Sequence, residues 1–522
     1  MQGNHNQTET AVIFRRAVAR CFSREAAPYW VMFGIALAVR AAHQIIMSAN
    51  DPMYGIVMQG GDNHTYDRWA LEISQTFWLG WNRLPFLHGP LYPYFLGLVY
   101  LRFGHSYAAA AWAQCLLGAV TVALIFHLAR RAFGKRAGWC AGVGAAFCPL
   151  FLLYEGEILV ETVVLFVHVA ALCIFVEAAR RKTRRWWVLC GVALGVCALG
   201  RPNAMLFIPI AAAWAAWLTP GAARQRIIAA AALVVAAAVM IAPATLANTF
   251  GGGRFHLVTH SGGVNLYIGN APDATGVYFR PPSLLEIREK EGKHEYEIDW
   301  RPYLVELVTT HPGAVARNLL IKTKLFWQSG ELPHNINFYL KQPFSPFLRS
   351  PFRWGLIAPL GVIGMFLSLK RKPLPRADDP RMILLAFFVL YMGSLILVFV
   401  MSRLRLPALA ALFVFAGYAV AWCVDSVAEA WRSRRLMPGI LRAGAVVVVC
   451  VALVFALQSR DNPLLMRWND YLNLGSAYEV TGDLEKALEQ YEKGLEVSPE
   501  NAALRQICKE TRERIQQQRG RR

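Results

Sequence analysis

Apolar runs of about 20 residues recur along this chain, and they constrain its fold more than any other feature of the sequence. Each run is long enough for one helix to cross a hydrocarbon layer roughly 30 Å thick. Only 17% of the residues are charged, whereas soluble domains carry about 25%. Helices satisfy their backbone hydrogen bonds internally in lipid, and a membrane barrel would show weaker, alternating strands. The sequence therefore predicts an all-α polytopic membrane protein.

Length and charge asymmetry predict about eleven membrane-spanning helices. They are expected at 29–48, 107–129, 137–154, 157–179, 186–200, 203–218, 227–247, 353–369, 382–401, 404–424 and 439–458. Lys and Arg cluster between alternate spans, which indicates cytoplasmic loops and a cytoplasmic N-terminus. The first span lacks a small-residue cleavage site and is interpreted as uncleaved. The odd number of spans then sends the C-terminal tail and two long loops, 49–106 and 248–352, to the outer side.

The net charge of +20 and the ten cysteines are explained by the same architecture. The positive charge lies in short clusters between apolar spans, as the positive-inside rule requires. Most of the cysteines lie inside spans and none is in a CxxC motif, which is typical of small buried hydrophobic residues. We therefore expect no nucleic-acid partner.

The pattern divides the chain into a membrane domain, 1–458, and a helical outer tail, 459–522. In the first outer loop, aromatic residues at helical spacing over 65–82 and a proline-broken apolar segment at 88–104 predict two helices that lie in the membrane interface. In the tail, the spacing of seven residues matches the tetratricopeptide pattern, with tyrosine in place of tryptophan and phenylalanine. These residues are Tyr471, Leu474, Gly475, Tyr478, Ala487, Tyr491 and Pro499. One repeat cannot bury a core alone, so the tail is expected to pack on the membrane domain, pair with a second copy or bind a partner.

Acidic residues stand out in two outer segments. "GGDNHTYDRWA" at 60–70 places Asp62 and Tyr66 on one helical face, where Asp62 could cap the helix, act as a catalytic base, or do both. "YEGEILVE" at 154–161 places Glu157 and Glu161 four residues apart, on a predicted common face. A carboxylate one turn inside the membrane costs roughly 2.5–3.5 kcal/mol on insertion scales, so Glu161 is a candidate functional residue. The alternative is a glutamate that pairs with a nearby arginine.

Arginines on the outer side form the third group. Arg201 in "GRPN" and Arg403 and Arg405 in "SRLRLP" occupy short loops where basic residues are disfavoured. A guanidinium binds phosphate through two parallel hydrogen bonds, so these side chains could hold a lipid phosphate. Alternatively, each could extend to ordinary headgroups. No nucleotide-binding glycine motif accompanies them, and the combination favours transfer of a group from a lipid phosphate.

These segments resemble the GT-C glycosyltransferases, in the family 39-like branch of protein O-mannosyltransferases and lipid A aminoarabinose transferases. The bacterial members with a tetratricopeptide tail are the most similar. Four stretches carry the resemblance: "GGDNHTYDRWA" followed by "PLYPYFLGLVYLRFG"; "PLFLLYEGEILVETVVLF"; "GRPNAMLFIP"; and "HSGGVNLYIGNAPDATGVY" with "SRLRLPALA". The resemblance implies a multi-pass protein of a bacterial inner membrane. It also implies an inverting glycosyltransferase that uses a polyprenyl-phosphate sugar at the periplasmic face and a lipid, glycan or protein hydroxyl as acceptor.

The same resemblance implies roles for particular residues. The family's first-loop aspartate falls on Asp62, and its second acid falls on Glu161, with Glu157 as a rival. His88 stands where many relatives carry a lysine or arginine for phosphate binding. Some relatives bind a divalent cation such as Mg²⁺ or Mn²⁺, for which Asp62, His64 and Asp67 are the candidate ligands; no cofactor is required by the sequence.

The second outer loop supplies candidates for the acceptor side of the cavity, which Tyr66 of the first loop would also line. They are Asn265, Asn270, Glu331, His334 and Asn335. Each could equally be a structural residue of a loop rich in turn-forming asparagines. Three other functions stay open at this point: a ligase or polymerase that uses a lipid-linked oligosaccharide, a non-catalytic scaffold that recruits proteins through its tail, and a secondary transporter.

Overall fold

The computed structural model describes residues 23–57, 61–76, 85–434, 436–458 and 463–520, and within these ranges it is helical without any β-strand. The helices before residue 250 are α1 (Ala27–Asn50), α2 (Asp62–Thr76), α3 (Leu91–Phe103), α4 (Tyr107–Phe133), α5 (Lys135–Ala146), α6 (Pro149–Glu155), α7 (Glu161–Arg181), α8 (Arg184–Gly200), α9 (Phe207–Leu218) and α10 (Ala223–Leu246). The later helices are α11 (Gly262–Asn270), α12 (Pro282–Glu291), α13 (Arg301–Thr310), α14 (Pro312–Trp327), α15 (Phe338–Lys341), α16 (Trp354–Lys370), α17 (Pro380–Leu397), α18 (Leu406–Arg432), α19 (Leu436–Ala456), α20 (Trp468–Val480), α21 (Leu484–Val497) and α22 (Ala502–Gly520). The all-α prediction is confirmed.

Seven helices in the described ranges are long and apolar enough to cross a membrane, and an eighth span results if α5 and α6, bent by 50°, are taken together. The other three predicted spans coincide with α8, α9 and α16, which have 17, 12 and 17 residues. A 17-residue helix is about 25 Å long at 1.5 Å per residue, slightly less than the hydrocarbon thickness. The count of eleven therefore stays a prediction.

Helix α18 forms the centre of the membrane bundle. In its most apolar 18-residue window 78% of the residues are buried, compared with 11% for the helix at 437–456. The helix is apolar on all sides, which is typical of a helix surrounded by others. Its small residues allow backbones to approach closely, since a Cβ at Gly417 would lie 2.7 Å from the carbonyl oxygen of Ala137. The start of α18 is thereby fixed at one end of the bundle, where the candidate site lies.

The first outer loop contains both predicted helices, α2 (Asp62–Thr76) and α3 (Leu91–Phe103), whose bounds differ from the predicted segments 65–82 and 88–104. Helix α2 packs against α3, and Asp67 joins them by accepting hydrogen bonds from Tyr100 at 2.5 Å and from His105 at 2.9 Å. Residues 77–84, which include part of the predicted aromatic face, lie outside the described residues. The location of these helices in the membrane interface stays a prediction.

The tail forms three packed helices, α20 to α22, around a small core that includes Tyr491 and Leu504. The ring of Tyr491 lies against Gly475, where any Cβ would be 2.3 Å from the ring. The tail packs on the membrane domain, the first of the three arrangements expected for it, because α20 contacts α15 in the second outer loop. The predicted boundary at 459 lies outside the described residues, and the tetratricopeptide assignment stays a prediction.

Candidate active site

Four charged side chains from distant parts of the chain meet at one end of the bundle; we call Asp62, Glu161, Arg201 and Arg403 the charged cluster. Arg403 Nη1 lies 2.8 Å from Asp62 Oδ2 and 3.5 Å from Glu161 Oε1. Arg201 Nη2 donates to the same Glu161 oxygen at 2.8 Å. The cluster is a continuous chain of alternating charges.

Each residue of the charged cluster lies at the end of a helix. Asp62 and Glu161 are the first residues of α2 and α7, where an acidic side chain is favoured by the helix dipole. Arg201 follows the last residue of α8. Arg403 lies in the 3-10 turn Ser402–Arg405 that leads into α18. Helix packing brings these four ends together.

The charged cluster is buried but not fully bonded. The Glu161 side chain is 0% exposed, and the side chains of Arg201 and Arg403 are each 13% exposed. Two carboxylates and two guanidinium groups balance formally, which is what burial of charges requires. Glu161 Oε2, Arg201 Nε and Arg403 Nε have no hydrogen-bond partner in the described part of the chain. The cluster therefore keeps buried donor and acceptor capacity that a ligand can use.

Two imidazoles and an amide complete the surroundings of Asp62. His88 Nε2 lies 3.8 Å from Asp62 Oδ1, and the rings of His88 and Tyr66 are 5.2 Å apart. His334 and Asn335 face the same carboxylate from the second outer loop. These neighbours confirm that the two outer loops meet at this site.

The electrostatic environment keeps Asp62 ionised. Burial acts to raise the pKa of the Asp62 carboxyl, but the charge of Arg403, the largest opposing influence, holds the pKa below its usual range. Burial lowers the pKa values of His88 and His334, and the charge of Arg403 lowers both further, although Asp62 acts in the opposite direction. At neutral pH we therefore expect an aspartate flanked by uncharged imidazoles.

Arg405 lies outside the charged cluster, contrary to the expectation that it binds donor phosphate. It is 1% exposed, pairs with Glu331 at 3.0 Å and donates to main-chain carbonyls. In a 3-10 turn, side chains two residues apart leave the axis about 120° apart, and in the structure Arg403 contacts Asp62 whereas Arg405 contacts Glu331. Glu331, predicted on the acceptor side, is occupied by this pair and by Ser402.

Glu157 also lies elsewhere. Lys341 contacts it at 3.1 Å and binds Asp51 at 2.5 Å, and Tyr107 donates to it at 3.4 Å. The prediction that Glu157 and Glu161 share a helical face is wrong, because α7 begins only at Glu161 and Glu157 precedes it in a non-helical link.

The remaining acceptor-side candidates are placed in α11. Asn270 accepts from Lys322 at 2.7 Å and donates to the carbonyl oxygen of Leu397 at 2.9 Å, a structural role at the end of α17. Asn265 is half-buried in the same helix, and among the described residues it shows no contact with the charged cluster. Only His334 and Asn335 of this group reach Asp62.

The three residues proposed for a divalent cation do not converge. Asp62 is paired with Arg403, whereas Asp67 is held by Tyr100 and His105. His64 lies between them in α2, half-buried. Across the described ranges, no group of three His, Cys, Asp or Glu side chains could hold a metal ion.

An apolar groove, which no sequence motif indicated, runs along the membrane part of the bundle between α7, α8, α9 and α17. The groove is partly open to the outside of the bundle. Its wall includes Phe175, Leu194, Phe207, Trp214, Phe387 and Leu390. His168, two turns along α7 from Glu161, also lines it. Four helices create the groove, so periodicity within one helix cannot reveal it.

Residues 87–245 match the family of dolichyl-phosphate-mannose-protein mannosyltransferases. Over these residues the chain is similar to that family. The matched segment contains His88, Glu161 and Arg201, and it covers less than a third of the chain. The superfamily inferred from the sequence motifs is thereby confirmed. No curated protein is similar enough to this chain to count as a match.

Three solved structures are similar at low sequence identity. The Archaeoglobus fulgidus oligosaccharyltransferase with Zn and sulfate has a TM-score of 0.48 at 17% identity, over 88% of this chain and 56% of its own. The Archaeoglobus fulgidus oligosaccharyltransferase AglB in complex with an inhibitory peptide and a dolichol-phosphate has a TM-score of 0.46 at 17% identity, and the match covers 89% of this chain and 59% of AglB. Cupriavidus metallidurans ArnT bound to undecaprenyl phosphate has a TM-score of 0.43 at 16% identity, and the match covers 90% of this chain and 75% of ArnT. The chain spans somewhat more than half the length of the archaeal enzyme.

Proposed function

We propose that this protein is an inverting glycosyltransferase that moves a sugar from a polyprenyl-phosphate donor to a hydroxyl acceptor at the periplasmic face of a bacterial inner membrane. The observation that carries the proposal is the charged cluster, in which an ionised Asp62 lies 2.8 Å from Arg403 beside a second buried arginine. The acceptor hydroxyl belongs to a lipid, a glycan or a protein. The N-terminus would be cytoplasmic and the tail periplasmic.

The arginines suit the donor phosphate. Each guanidinium has five N–H donors, and Arg201 and Arg403 each keep a buried Nε–H without a partner in the described structure. Bidentate binding of phosphate oxygens by arginine is a strong, geometrically selective contact. His88 stands beside them and can donate from its imidazole. These three residues would hold the phosphate that links sugar and lipid.

The apolar groove suits the polyprenyl chain. Its lining is almost entirely hydrocarbon, and it starts two turns from Glu161 along α7. A branched isoprenoid buried there would place its phosphate end near the guanidinium groups. The matched family is described by dolichyl-phosphate-mannose, which is itself a polyprenyl-phosphate sugar.

In the proposed reaction the acceptor oxygen attacks the anomeric carbon of the sugar, and the bond from that carbon to the phosphate oxygen breaks. The polyprenyl phosphate leaves with the bonding electron pair, and Asp62 takes the hydroxyl proton. A single displacement inverts the anomeric carbon. Charge on the phosphate rises as the bond breaks, so Arg201 and Arg403 bind the transition state more tightly than the donor.

Donor binding also prepares the base. In the unliganded protein Arg403 is shared between Asp62 and Glu161. A phosphate that draws Arg403 away from Asp62 makes that carboxylate more basic when the acceptor arrives. Glu161 then serves to position both guanidinium groups, and we propose it as the second acid in place of Glu157. The residues considered for a divalent cation do not converge, so no step is assigned to a metal.

The proposal is tested with Asp62→Asn assayed in membranes with radiolabelled polyprenyl-phosphate sugars. We expect wild-type protein to transfer label and Asp62→Asn to lose nearly all turnover while still binding donor. Asp67→Asn, on the same helix but bonded to Tyr100, is the matched control and is expected to retain most activity. Full turnover by Asp62→Asn would contradict the assignment of the base, and dispensable Asp62 and Glu161 in a complementation assay would favour the scaffold.

A further inference from the structure

The loop of residues 328–337 connects α14 to α15 and brings His334 and Asn335 against Asp62. It contains no regular secondary structure, so its own backbone hydrogen bonds cannot fix its shape. Its conformation is therefore set by contacts from elsewhere. The main-chain N–H of Ser329 donates to the carbonyl oxygen of Leu457 at 2.8 Å, and two arginines, one from the membrane bundle and one from the tail, supply further hydrogen bonds.

Arg405 holds the first half of the loop. Its guanidinium donates to the carbonyl oxygens of Phe326 and Gln328, both at 3.1 Å, and of Gly330 at 3.0 Å. Ser402 adds a main-chain hydrogen bond to the carbonyl oxygen of Leu332 at 3.2 Å. These contacts end before His334; in the second half of the loop the ring of His334 packs against Tyr278, with ring centroids 4.8 Å apart.

The tail holds the second half. Arg467 donates to the carbonyl oxygen of His334 at 2.5 Å and is itself bound by Asp470 through both carboxylate oxygens, at 2.5 and 3.0 Å. Asp470 also accepts from the amide of Asn337 at 2.8 Å, and that amide donates to the carbonyl oxygen of Leu465 at 2.9 Å. Asp470 and Asn337 are 6% and 4% exposed. The network therefore joins tail and loop away from water, where charged hydrogen bonds are strong.

This network is separate from the tail's own core. The core of the tail is apolar and is formed by Tyr491, Leu504 and their neighbours. The tail's other ion pairs, such as Arg512 with Glu492, lie at the surface, where such pairs contribute little to stability. The ion pair of the buried Asp470 with the partly buried Arg467, which is 28% exposed, is thus a feature of the contact with the membrane domain.

We propose that Arg467 and Asp470 are positioning residues for the transfer reaction, which hold residues 334–337 so that His334 and Asn335 face Asp62. This inference rests on the proposed function, because it assigns the tail to the same active site. It makes the tail a structural part of that site, in addition to any partner that the tail binds.

A positioning role has a consequence that simple stabilisation lacks. His334 and Asn335 lie on the Asp62 side of the site, whereas Arg201 and Arg403, which would hold the donor phosphate, are fixed by the membrane bundle and by Glu161. Release of the loop therefore lowers kcat and leaves the KM for donor nearly unchanged.

The test compares full-length Arg467→Ala and Asp470→Asn with wild type and with Arg512→Ala, the surface control. We expect kcat to fall roughly 10- to 100-fold, as for small misplacements in an active site, while the KM for donor stays within about threefold of wild type. Arg467→Lys keeps a donor for the His334 carbonyl and is expected to restore part of kcat. Arg512→Ala is expected to leave both unchanged.

Hydrogen exchange over 331–337 supplies a readout that does not depend on activity. Faster exchange in Arg467→Ala, with folded protein of normal thermal stability, supports the proposal when kcat also falls at a nearly unchanged KM for donor. An Arg467→Ala enzyme with the kcat of wild type overturns it. Wild-type protein that is inactive with every polyprenyl-phosphate sugar overturns the proposed function instead, and unchanged exchange in the variant then overturns the holding of the loop as well.

Discussion

Arg403 donates a 2.8 Å hydrogen bond to Asp62 across 341 residues of sequence. The contact joins the turn before the central helix α18 to the first residue of α2 in the first outer loop. Because Arg403 also lies 3.5 Å from Glu161, one guanidinium links both carboxylates of the charged cluster. The protonation of Asp62 and the placing of a donor phosphate therefore depend on the same side chain.

Replacement of Arg403 by glutamine should move the acidic limb of activity upward. Asp62 has a depressed pKa in the folded protein, mainly because Arg403 overcomes the effect of burial. In wild type Asp62 is thus ionised throughout the neutral range, and its protonation cannot limit kcat/KM above about pH 4. In Arg403→Gln the pKa of Asp62 rises, and the KM for donor rises with it. A pH profile of kcat/KM at saturating acceptor checks both effects.

The same shift fixes the sign of a stability effect. A carboxyl whose pKa is lower in the folded state stabilises the protein above its unfolded pKa of about 3.9 and loses that contribution as the pH falls through the folded value. Wild type should therefore lose stability from this pair only in strong acid. If thermal unfolding of Arg403→Gln and wild type showed the same dependence between pH 6 and pH 3, the contact would have no role in solution.

Glu161→Gln should be far more damaging than Glu157→Gln. Loss of Glu161 leaves Arg201 without its 2.8 Å carboxylate partner in a buried site, and breaking a buried pair costs about 3–5 kcal/mol. We expect lower thermal stability and a higher KM for donor, since both guanidinium groups lose their position. Glu157→Gln leaves Lys341 bound to Asp51 and should have a much smaller effect on KM. Equal effects of the two variants would restore Glu157 as the second acid.

Much of this site could be predicted because it violates the rules of its surroundings. Asp62 and Glu161 are acids beside or inside apolar segments, and Arg201 and Arg403 are cations on the side where cations are disfavoured. Such residues are costly where they stand, so their types alone indicated that they meet. The helical segments could be predicted from hydropathy, because an apolar run of about 20 residues in a membrane satisfies its backbone hydrogen bonds as a helix.

The remaining contacts of the site depended on side-chain directions, helix ends and tail docking, which the sequence does not encode. Arg403 and Arg405 look equivalent in "SRLRLP", yet the 3-10 turn sends one to Asp62 and the other to Glu331. Glu157 and Glu161 look like one helical face until α7 is seen to begin at Glu161. The contact of Arg467 with the loop at His334 depends on how the tail docks, which no local pattern of residues specifies.

Arg405→Ala should be a stability variant and not a donor-binding variant. The guanidinium satisfies three carbonyl oxygens and Glu331 in a buried site, and its removal leaves a buried carboxylate unpaired at about 3–5 kcal/mol. Arg405→Lys should fail to rescue, because an ammonium cannot reproduce the planar fork of donors. Thermal unfolding in detergent should show the loss, while the donor KM of any folded fraction stays within about threefold of wild type. A normally stable Arg405→Ala with weakened donor binding would return this residue to the phosphate site.

The apolar groove should determine how the enzyme responds to the length of the donor lipid. Ala386 lines the groove on α17, whereas Val389 lies on the same helix, half-exposed and outside the groove wall. Ala386 lies two turns before Ser394, which accepts from Asn203 close to Arg201, so Ala386→Phe would fill the groove away from the phosphate end and exclude the later isoprene units. We expect the KM for a long polyprenyl donor to rise about tenfold or more, since each buried CH₂ contributes roughly 0.8 kcal/mol. A donor carrying only two isoprene units should be affected less, and Val389→Phe should change neither KM. Equal weakening of long and short donors by Ala386→Phe, at unchanged thermal stability, would mean that the lipid chain lies elsewhere on the bundle.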